Sequence, residues 1–406
     1  MTIIEFFEKS PFENMISCLA SKPDKVIFLG DMAQMNKVIP TYTQFLKTKH
    51  IKTKIEPRAI RKNNLNSIVQ TLTDIIKTEK DCIFDITGGD DLLLLGCGIV
   101  FATCREKYPF KLQRFDLQTG KIIDCDCDNE VSFKGAFTVT VEELISLYGG
   151  IVLPENPQPD INASKRDVDV LWDMARSDLK NWNDSVKFMK EFEKRAQPEQ
   201  DRLSIDLDIS SLSGEILNYG HKLKTFTDFV QKLVDLGAVT DFWLGKNHIS
   251  YRYKNAVVRR CLKSPGDVLE MKVLFEARSL QKDGKPFFDS CHIGVNIDWD
   301  GVNRHYNDTK NEIDVILMRG LTPVFISCKI GEIKEIEPYK LWTVAERFGG
   351  KHVKKVLIAS DFNRENDKSE LSFLNRTRDM GITFIANATD MSDSDWKTML
   401  KNLIPW

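Results

Sequence analysis

The chain has 406 residues, of which 42% are hydrophobic and 29% charged, and this composition excludes disorder along its whole length. At about 100–200 residues per domain, the length predicts two or three domains. The 57 Lys and Arg residues nearly balance the 59 Asp and Glu residues, giving a net charge of −2. A global positive field is therefore absent, so any contact with nucleic acid requires a local basic patch.

The composition also argues against a membrane or secreted protein. The longest uncharged apolar run, residues 92–104, has 13 residues with two glycines, whereas a membrane helix needs about 20. The N-terminus lacks a basic start followed by an apolar core, so we expect no secretory signal. Nine scattered cysteines without a CxxC pair indicate reduced thiols, and hence a cytoplasmic location.

Residues 1–148 alternate short apolar runs with helical patterns. The predicted strands and helices are residues 25–29, 64–78, 81–86, 92–104 and 140–147. Thr140 and Glu143 have capping-box spacing at the start of the last helix. Strands that alternate with helices predict a parallel sheet with helices on both faces.

A second region is predicted over residues 149–260, after a loop rich in Pro and Asn at 153–162. A charged helix at 165–195, a helix at 223–236 and a strand–turn–strand segment at 238–258 follow in that order. This order resembles a winged helix. The region therefore reads as a linker with winged-helix-like character.

A stretch of basic residues lies at the end of this region. Residues 246–263 contain six Lys and Arg residues, no acid, and the interleaved Tyr251 and Tyr253. Such a pattern suits a surface that follows a nucleic-acid backbone and stacks bases. A solvated hairpin with its tyrosines in the core explains it equally well, so both interpretations stay open.

Residues 261–406 show a separate pattern in which strands and helices are again mixed. The predicted elements are helix 267–280, strands 292–297, 312–318 and 324–330, helix 339–348, strand 356–359, helix 370–379 and strand 382–386. Strand side chains alternate faces, so Glu312 and Asp314 share one face, as do Ser327 and Lys329. A short loop joins these two strands, which predicts one polar cluster on a rigid sheet.

Charged residues inside a β-hairpin indicate a functional role, because burying a charge costs free energy. Carboxylates bind Mg²⁺ or Mn²⁺ through hard oxygen ligands, and the metal polarises a phosphate and acidifies a bound water. A neighbouring lysine stabilises the developing negative charge. The cluster therefore suits metal-assisted hydrolysis of phosphodiesters.

In the first region, two loops follow apolar strands: residues 30–36, and Thr87-Gly88-Gly89 followed by Asp90 and Asp91. Ligands bind beyond the carboxyl ends of strands in open parallel sheets, and backbone N–H groups at such a turn face an anion. Asp90 and Asp91 are alternatively helix caps, and a plain structural turn is also consistent with the motif. Dinucleotide and ATP fingerprints are missing from the sequence.

Four phrases near the C-terminus carry a family resemblance: GDVLE (266–270), NEIDVILMRG (311–320), PVFISCK (323–329) and AERFGG (345–350). Over about residues 264–387 the chain resembles the PD-(D/E)xK restriction-endonuclease-like fold. It is similar to the CRISPR ancillary nucleases that join a CARF sensor domain to such a nuclease. The strand–Thr-Gly-Gly–helix pattern resembles the CARF motif, over residues 1 to about 148.

The resemblance implies roles for four residues of the nuclease part. Glu270 matches the helix glutamate, Asp314 the metal-binding aspartate and Lys329 the catalytic lysine. The backbone carbonyl of Cys328 matches a further metal contact. The implied Mg²⁺ or Mn²⁺ site is thus formed by Glu270, Asp314 and Cys328.

One position departs from the family pattern. The motif has Asp or Glu two residues before the lysine, and this chain has Ser327 there. Glu312, on the strand face of Asp314, and Glu346, on the following helix, are the candidates for the missing catalytic carboxylate.

For the sensor part, the resemblance implies a homodimer that binds cyclic tetra-adenylate across its two-fold axis. The residues that would contact this ligand are Gly30, Asp31, Met32, Ala33, Gln34, Asn36, Thr87, Gly88, Gly89 and Asp90.

The fold class expected from these patterns is α/β: a Rossmann-like CARF domain, a winged-helix-like linker and a restriction-endonuclease-like domain. The expected function is a metal-dependent endonuclease of type III CRISPR defence, activated by cyclic tetra-adenylate. The resemblance suggests single-stranded DNA and RNA substrates with some nicking of duplex DNA. Alternatives are a ligand-responsive transcription regulator with an inactive nuclease fold, and an enzyme that degrades its own activator.

Overall fold

The computed structural model of the protein describes residues 1–8, 10–116, 121–127, 129–131, 138–153, 164–196, 203–208, 220–301, 310–362 and 367–404. These residues form a seven-stranded sheet, a six-stranded sheet, a three-stranded sheet and a two-stranded ribbon. None of the helices in these ranges is long and apolar enough to cross a membrane.

The seven-stranded sheet comes from the first third of the chain. Its strands are β1 (Thr2–Phe6), β2 (Lys25–Gly30), β3 (Lys54–Ala59), β4 (Cys82–Asp85), β5 (Phe110–Asp116), β6 (Lys121–Asp124) and β7 (Asn129–Val131). They lie in the order β3-β2-β1-β4-β5-β6-β7. The first five are parallel, and β6 and β7 form an antiparallel edge. The parallel sheet is confirmed, and so are the strands predicted at 25–29 and 81–86.

The central strand β1 was not marked by any alternation in the sequence. It pairs in parallel with both β2 and β4, and all five of its residues are buried. A strand buried on both faces lacks the apolar–polar alternation of a half-exposed strand. As a result, the carboxyl end of β1 lies between those of β2 and β4.

Helices cover both faces of this sheet, as predicted. They are α1 (Pro11–Ser21), α2 (Met32–Thr48), α3 (Leu65–Thr78), α4 (Asp91–Cys104) and α5 (Val141–Leu147), and the short strand β8 (Ile151–Val152) follows. Ile4 and Ile27 pack with α3 and α4, whereas Ile3 and Phe28 pack with α1, α2 and α5. The predicted capping box between Thr140 and Glu143 is present at the start of α5.

The middle of the chain shares one hydrophobic core with a face of the six-stranded sheet. Its elements are α6 (Lys165–Ser177), α7 (Leu179–Arg195), β9 (Ser204–Asp208), α8 (Gly220–Asp235), β10 (Val239–Leu244) and β11 (His248–Tyr253). The strands are antiparallel in the order β10-β11-β9, and the predicted helix at 223–236 and the hairpin after it are present. The loop predicted at 153–162 lies outside the described residues except for Leu153.

The helix predicted at 165–195 is divided into α6 and α7. Asp178 leaves helical geometry at φ −156°, and its carboxylate accepts a hydrogen bond of 3.0 Å from the Asn181 N–H. Asp is a strong N-cap because its side chain satisfies an N–H group that the new helix leaves free. The break therefore follows from a cap inside a charged segment.

The tyrosines of the basic stretch belong to the core. Tyr251 and Tyr253 are 1% and 0% exposed, and their rings pack edge to face with centroids 5.4 Å apart. A buried ring cannot stack on a base from outside. The structure thus favours the hairpin with core tyrosines over an aromatic stacking surface.

The remaining residues form the six-stranded sheet and its helices. The elements are α9 (Ala256–Cys261), α10 (Asp267–Ser279), β12 (Gln281–Lys282), β13 (Lys285–Pro286), β14 (Ser290–Asp298), β15 (Lys310–Arg319), β16 (Thr322–Lys329), α11 (Glu337–Phe348), β17 (Lys354–Ala359), α12 (Asp367–Asp379), β18 (Ile382–Ile385) and α13 (Asp393–Asn402). The sheet order is β18-β17-β16-β15-β14-β8. Every strand and helix predicted for this part appears, with ends shifted by a few residues.

The two large sheets are joined at the end of α11. Strand β8 pairs with β14. The segment that follows the seven-stranded sheet in the chain therefore forms an edge strand of the six-stranded sheet. His352, just after α11, lies 3.2 Å from the carboxylate of Glu13 in α1. A Cβ on Gly350 would lie 2.2 Å from the hydroxyl of Tyr148, which fixes a glycine at this close contact. The junction is therefore tightly packed.

Candidate active site and ligand-binding edge

The β15–β16 hairpin brings Asp314 to Ser327 and Lys329. The ladder runs from Arg319↔Thr322 to Val315↔Ile326, and the next step of this register sets 314 opposite 327. One oxygen of Asp314, Oδ2, accepts hydrogen bonds from the Ser327 hydroxyl at 3.1 Å and from the Lys329 ammonium at 3.3 Å. The Cys328 N–H also donates to it, at 2.6 Å. The predicted polar cluster is therefore assembled at the end of the hairpin.

Lys329 is held between two carboxylates. Its Nζ is 3.3 Å from Asp314 and 3.5 Å from Glu337 Oε2, in the first turn of α11. Burial lowers the pKa of Lys329, but the two negative charges outweigh it, and the net pKa is raised. The two neighbouring carboxylates consequently favour the charged ammonium form of this lysine.

Glu270, in the first turn of α10, is the second acid near Asp314. Burial and the charge of Asp314 together raise the pKa of Glu270 well above its usual range. Asp267, one turn earlier, has its pKa raised to about 6, chiefly by burial, although Arg260 and Lys263 oppose the shift. The acids repel one another, so a bound cation would relieve the strain of bringing them together.

The two candidates for the missing catalytic carboxylate lie in different places. Glu312 is exposed on β15 opposite Asn296, and its charge raises the pKa of both Asp267 and Glu270. Glu346 instead pairs with Lys355 at 2.8 Å. It lies nine residues after Glu337 on α11, which is about 13 Å along the helix. The structure thus brings Glu312 to the rim of the cluster and Glu346 to a separate ion pair.

Cys328 contributes through its backbone rather than its thiol. The side chain is 3% exposed, and burial, followed by the charges of Asp314 and Glu270, raises the pKa of the thiol well above its usual range. The sulfur therefore stays protonated and is a poor nucleophile.

The donors present suit a hard cation such as Mg²⁺ or Mn²⁺. Within the described part of the chain, no three His, Cys, Asp or Glu side chains come together closely enough to hold a metal on their own. Magnesium is commonly bound by one or two carboxylates together with waters and substrate phosphates. Two mutually repelling carboxylates, Glu270 and Asp314, fit that mode of binding.

Two residues of this site were not assigned from the sequence. Glu337 holds Lys329 from another element, and Asp267 adds a third acid beside Glu270. Asp267 lies within the GDVLE phrase, which was an available signal. The contact of Glu337 depends on how α11 folds back over β16, which no local pattern encodes.

The loops of the first sheet converge at one edge. Gly30 ends β2, Gly88 and Gly89 follow β4, and the residues after β1 lie between them. A Cβ on Gly30 would lie 2.9 Å from the Cβ of Phe7, and one on Gly88 would lie 2.5 Å from Cγ of Glu8. Both glycines are therefore required by close packing, and the two predicted loops flank a third segment.

The Thr-Gly-Gly turn is held by specific hydrogen bonds. The Thr87 hydroxyl accepts from the Phe115 N–H at 2.7 Å, and the Thr87 N–H donates to Asp85 at 2.8 Å. Gly89 has φ +110°, and its N–H donates to the Glu8 carboxylate at 2.6 Å. One N–H of the turn is thus bound by a carboxylate of the protein itself, on the segment that follows β1.

The two aspartates of these loops are helix caps. Asp31 accepts from the Gln34 N–H at 2.8 Å, and Asp90 accepts from the Leu93 N–H at 3.1 Å. Asp90 also lies 3.6 Å from Lys62, which offsets its charge. The other predicted contact residues lie on α2; Ala33, Gln34 and Asn36 are exposed, and Met32 is half-buried.

Comparison with solved structures identifies the fold. Protein VC1899 from Vibrio cholerae matches with a TM-score of 0.74 and 17% identity, covering 100% of this chain and 98% of that one. Can2 from Sulfobacillus thermosulfidooxidans, solved in complex with cyclic tetra-adenylate, matches with a TM-score of 0.65 and 16% identity over the same shares. The sequence matches no family model and no curated protein. The chain thus has the predicted α/β fold, with a mostly parallel sheet in its first part and a mixed sheet in its C-terminal part.

Proposed function

We propose that the protein is a divalent-metal-dependent endonuclease of type III CRISPR defence, activated by cyclic tetra-adenylate. The observation that carries the nuclease assignment is the convergence of Glu270, Asp314 and Lys329 at the end of the β15–β16 hairpin. Two acids and a charged lysine, held by a rigid sheet and the helix α10 packed on it, are the groups that metal-assisted phosphodiester hydrolysis requires.

Each residue of the site would have a distinct role in the reaction. Glu270, Asp314 and the Cys328 carbonyl would hold Mg²⁺ or Mn²⁺, which when bound polarises the phosphate and acidifies a water. The Lys329 ammonium stabilises the negative charge that develops on the phosphate oxygens. Glu337 positions Lys329 from the opposite side.

Ser327 has a supporting role in this scheme. Its hydroxyl donates to Asp314 Oδ2, so it orients the aspartate instead of supplying a carboxylate. Together with the Cys328 N–H it fixes the rotamer of Asp314, which keeps the other oxygen in place for a cation. The third acid of the site is then Asp267 or Glu312, both of which act electrostatically on Glu270.

The sensor assignment rests on the edge formed by Gly30, Gly88 and Gly89. Can2 was solved with cyclic tetra-adenylate and shares the fold over the whole chain. We propose that two copies of this chain pair through residues 1–148 and bind the same ligand across the two-fold axis. One ligand contacting both copies would then favour one arrangement of the dimer.

The Gly88→Ala substitution tests the sensor. The added Cβ would lie 2.5 Å from Glu8 Cγ and 3.2 Å from the Phe6 carbonyl oxygen, so the turn and the Glu8 carboxylate bound to it must move and the N–H groups change direction. Loss of one hydrogen bond to a charged group costs about 1.5–3 kcal/mol, so the concentration of cyclic tetra-adenylate for half-maximal cleavage should rise about tenfold or more. Gly98→Ala, on α4 with nothing within 4 Å of the new Cβ, is the matched control. Equal activation of both variants would remove the sensor assignment.

A regulator of transcription is the second candidate, and two observations favour it. Ser327 replaces the usual acid, and the middle of the chain has the winged-helix element order. Specific binding to a duplex, without cleavage of any labelled DNA or RNA in Mn²⁺, would support the regulator. Cleavage in Mn²⁺ that stops in EDTA would support the nuclease.

A further inference from the structure

Helix α7 contacts both loops that border the carboxylate cluster. The Trp182 Nε1–H donates to the Pro265 carbonyl at 3.1 Å, just before α10 begins. The next residue, Asn183, has its Nδ2 3.7 Å from the position of a Cβ on Gly331, just after β16 ends. Its Oδ1 is buried without a hydrogen-bond partner. A helix from the winged-helix-like unit therefore forms one wall of the nuclease site.

Three cations lie on or beside this wall, and their charges act on one acid of the site. The positive charges of Arg260 on α9, Lys263 just beyond it, and Lys190 on α7 all lower the pKa of Asp267. Among the described residues, none of the three side chains forms an ion pair or a hydrogen bond, and the Arg260 Nε is buried without a partner. Neighbouring cations differ, since Arg259 pairs with Glu193 and Lys254 pairs with Asp167.

A polyanion that approaches the acids is repelled by them unless positive charge lies beside it. Unpaired cations that converge on one border of an acidic pocket provide that charge, and phosphate contacts of this kind position a nucleic acid without reading its sequence. A surface with paired cations would have to break ion pairs first. The three side chains are thus available to phosphates at no such cost.

We propose that Lys190, Arg260 and Lys263 bind the phosphodiester backbone of the nucleic acid beside the phosphate that is cleaved. This inference rests on the proposed nuclease function and deepens it, because it assigns substrate positioning to residues outside the six-stranded sheet. Arg260 and Lys263 lie at the end of the basic stretch. The inference therefore gives these two cations the contact with nucleic acid that the buried tyrosines of the stretch cannot make.

The test measures binding without cleavage. Full-length protein carrying Asp314→Asn is titrated, with cyclic tetra-adenylate and Ca²⁺, against a labelled single-stranded oligonucleotide at several salt concentrations. Arg260→Gln with Lys263→Gln should weaken binding about tenfold and reduce the slope of log K against log salt by about 0.7 for each lost contact. In the otherwise unaltered enzyme the same pair should raise KM far more than it lowers kcat. Lys397→Gln with Lys401→Gln, two exposed lysines on α13, is the charge-matched control.

The outcomes separate this inference from the function on which it rests. An unchanged affinity and salt slope would overturn the inference even if the enzyme cleaves nucleic acid. If the variants bind more weakly with a smaller salt slope, but the unaltered protein cleaves no nucleic acid, backbone binding is supported and the nuclease function is refuted. Arg260→Lys, which keeps the charge, should restore the salt slope. If Arg260→Gln fails to fold, Lys190→Gln and Lys263→Gln, both at exposed positions, carry the same test.

Discussion

Asp314→Asn should reduce cleavage about 10³-fold, because a metal that polarises the phosphate contributes several kcal/mol to the transition state. The amide keeps the shape of the side chain but removes the charge that faces Glu270 and Lys329. Lys329→Met should lower the rate about 10²–10³-fold through loss of a charge-stabilising donor. The measurement is single-turnover cleavage of labelled DNA and RNA in Mn²⁺ with saturating cyclic tetra-adenylate.

Binding of the activator should remain unchanged in both variants, because the residues of the ligand edge lie on a different sheet. Asp173→Asn serves as control, since Asp173 is 61% exposed and pairs only at the surface with Arg176. Full cleavage by Asp314→Asn in Mn²⁺ would show that the metal centre lies elsewhere.

Lys272→Ala should destabilise the protein by about 3–5 kcal/mol, which is the usual cost of removing one partner from a buried ion pair. Lys272 is 3% exposed, and its Nζ lies 2.8 Å from Asp169, 2.7 Å from Glu276 and 3.1 Å from Asp393. Burial lowers the pKa of Lys272, but the hydrogen-bonded carboxylates Asp169 and Glu276 raise it overall. Without the lysine, Glu276 keeps a buried charge that, among the described residues, Lys165 alone opposes.

Chemical denaturation of the full chain measures this effect. Lys121→Ala, which breaks an exposed pair with Glu130 at 2.7 Å, should cost at most about 1 kcal/mol. The double variant Lys272→Met with Glu276→Leu should recover much of the loss, because it removes both buried charges together. A single Lys272→Ala variant as stable as the Lys121→Ala control would refute a structural role for this network.

The hairpin of the candidate site could be predicted because its physics is local. Alternation with period two sets Asp314, Ser327 and Lys329 on facing positions, and a two-residue connection at Gly320 and Leu321 leaves little freedom in the register. The same reasoning predicted five of the six strands of the second sheet, but only β2 and β4 of the seven in the first. These predictions depend only on neighbours in the chain and on the burial of one face.

Residues that meet across elements could not be predicted in this way. Glu337 reaches Lys329 only because α11 returns along β16, and Glu346, on the same helix, is directed to Lys355 instead. Both are acids on one helix, so composition alone does not separate them. Likewise, β1 is central in the sheet yet carries no alternation, because both of its faces are buried.

Helix α11 has one end against the cluster of Asp314 and Lys329 and the other against the first sheet. Glu337 in its first turn touches Lys329, and the Gly350–His352 segment just past its last turn meets Tyr148 and Glu13. Its 12 residues span about 18 Å and form a stiff strut. Any tilt of the first sheet relative to the second would therefore be transmitted mechanically to the ammonium of Lys329, with no mobile segment needed between them.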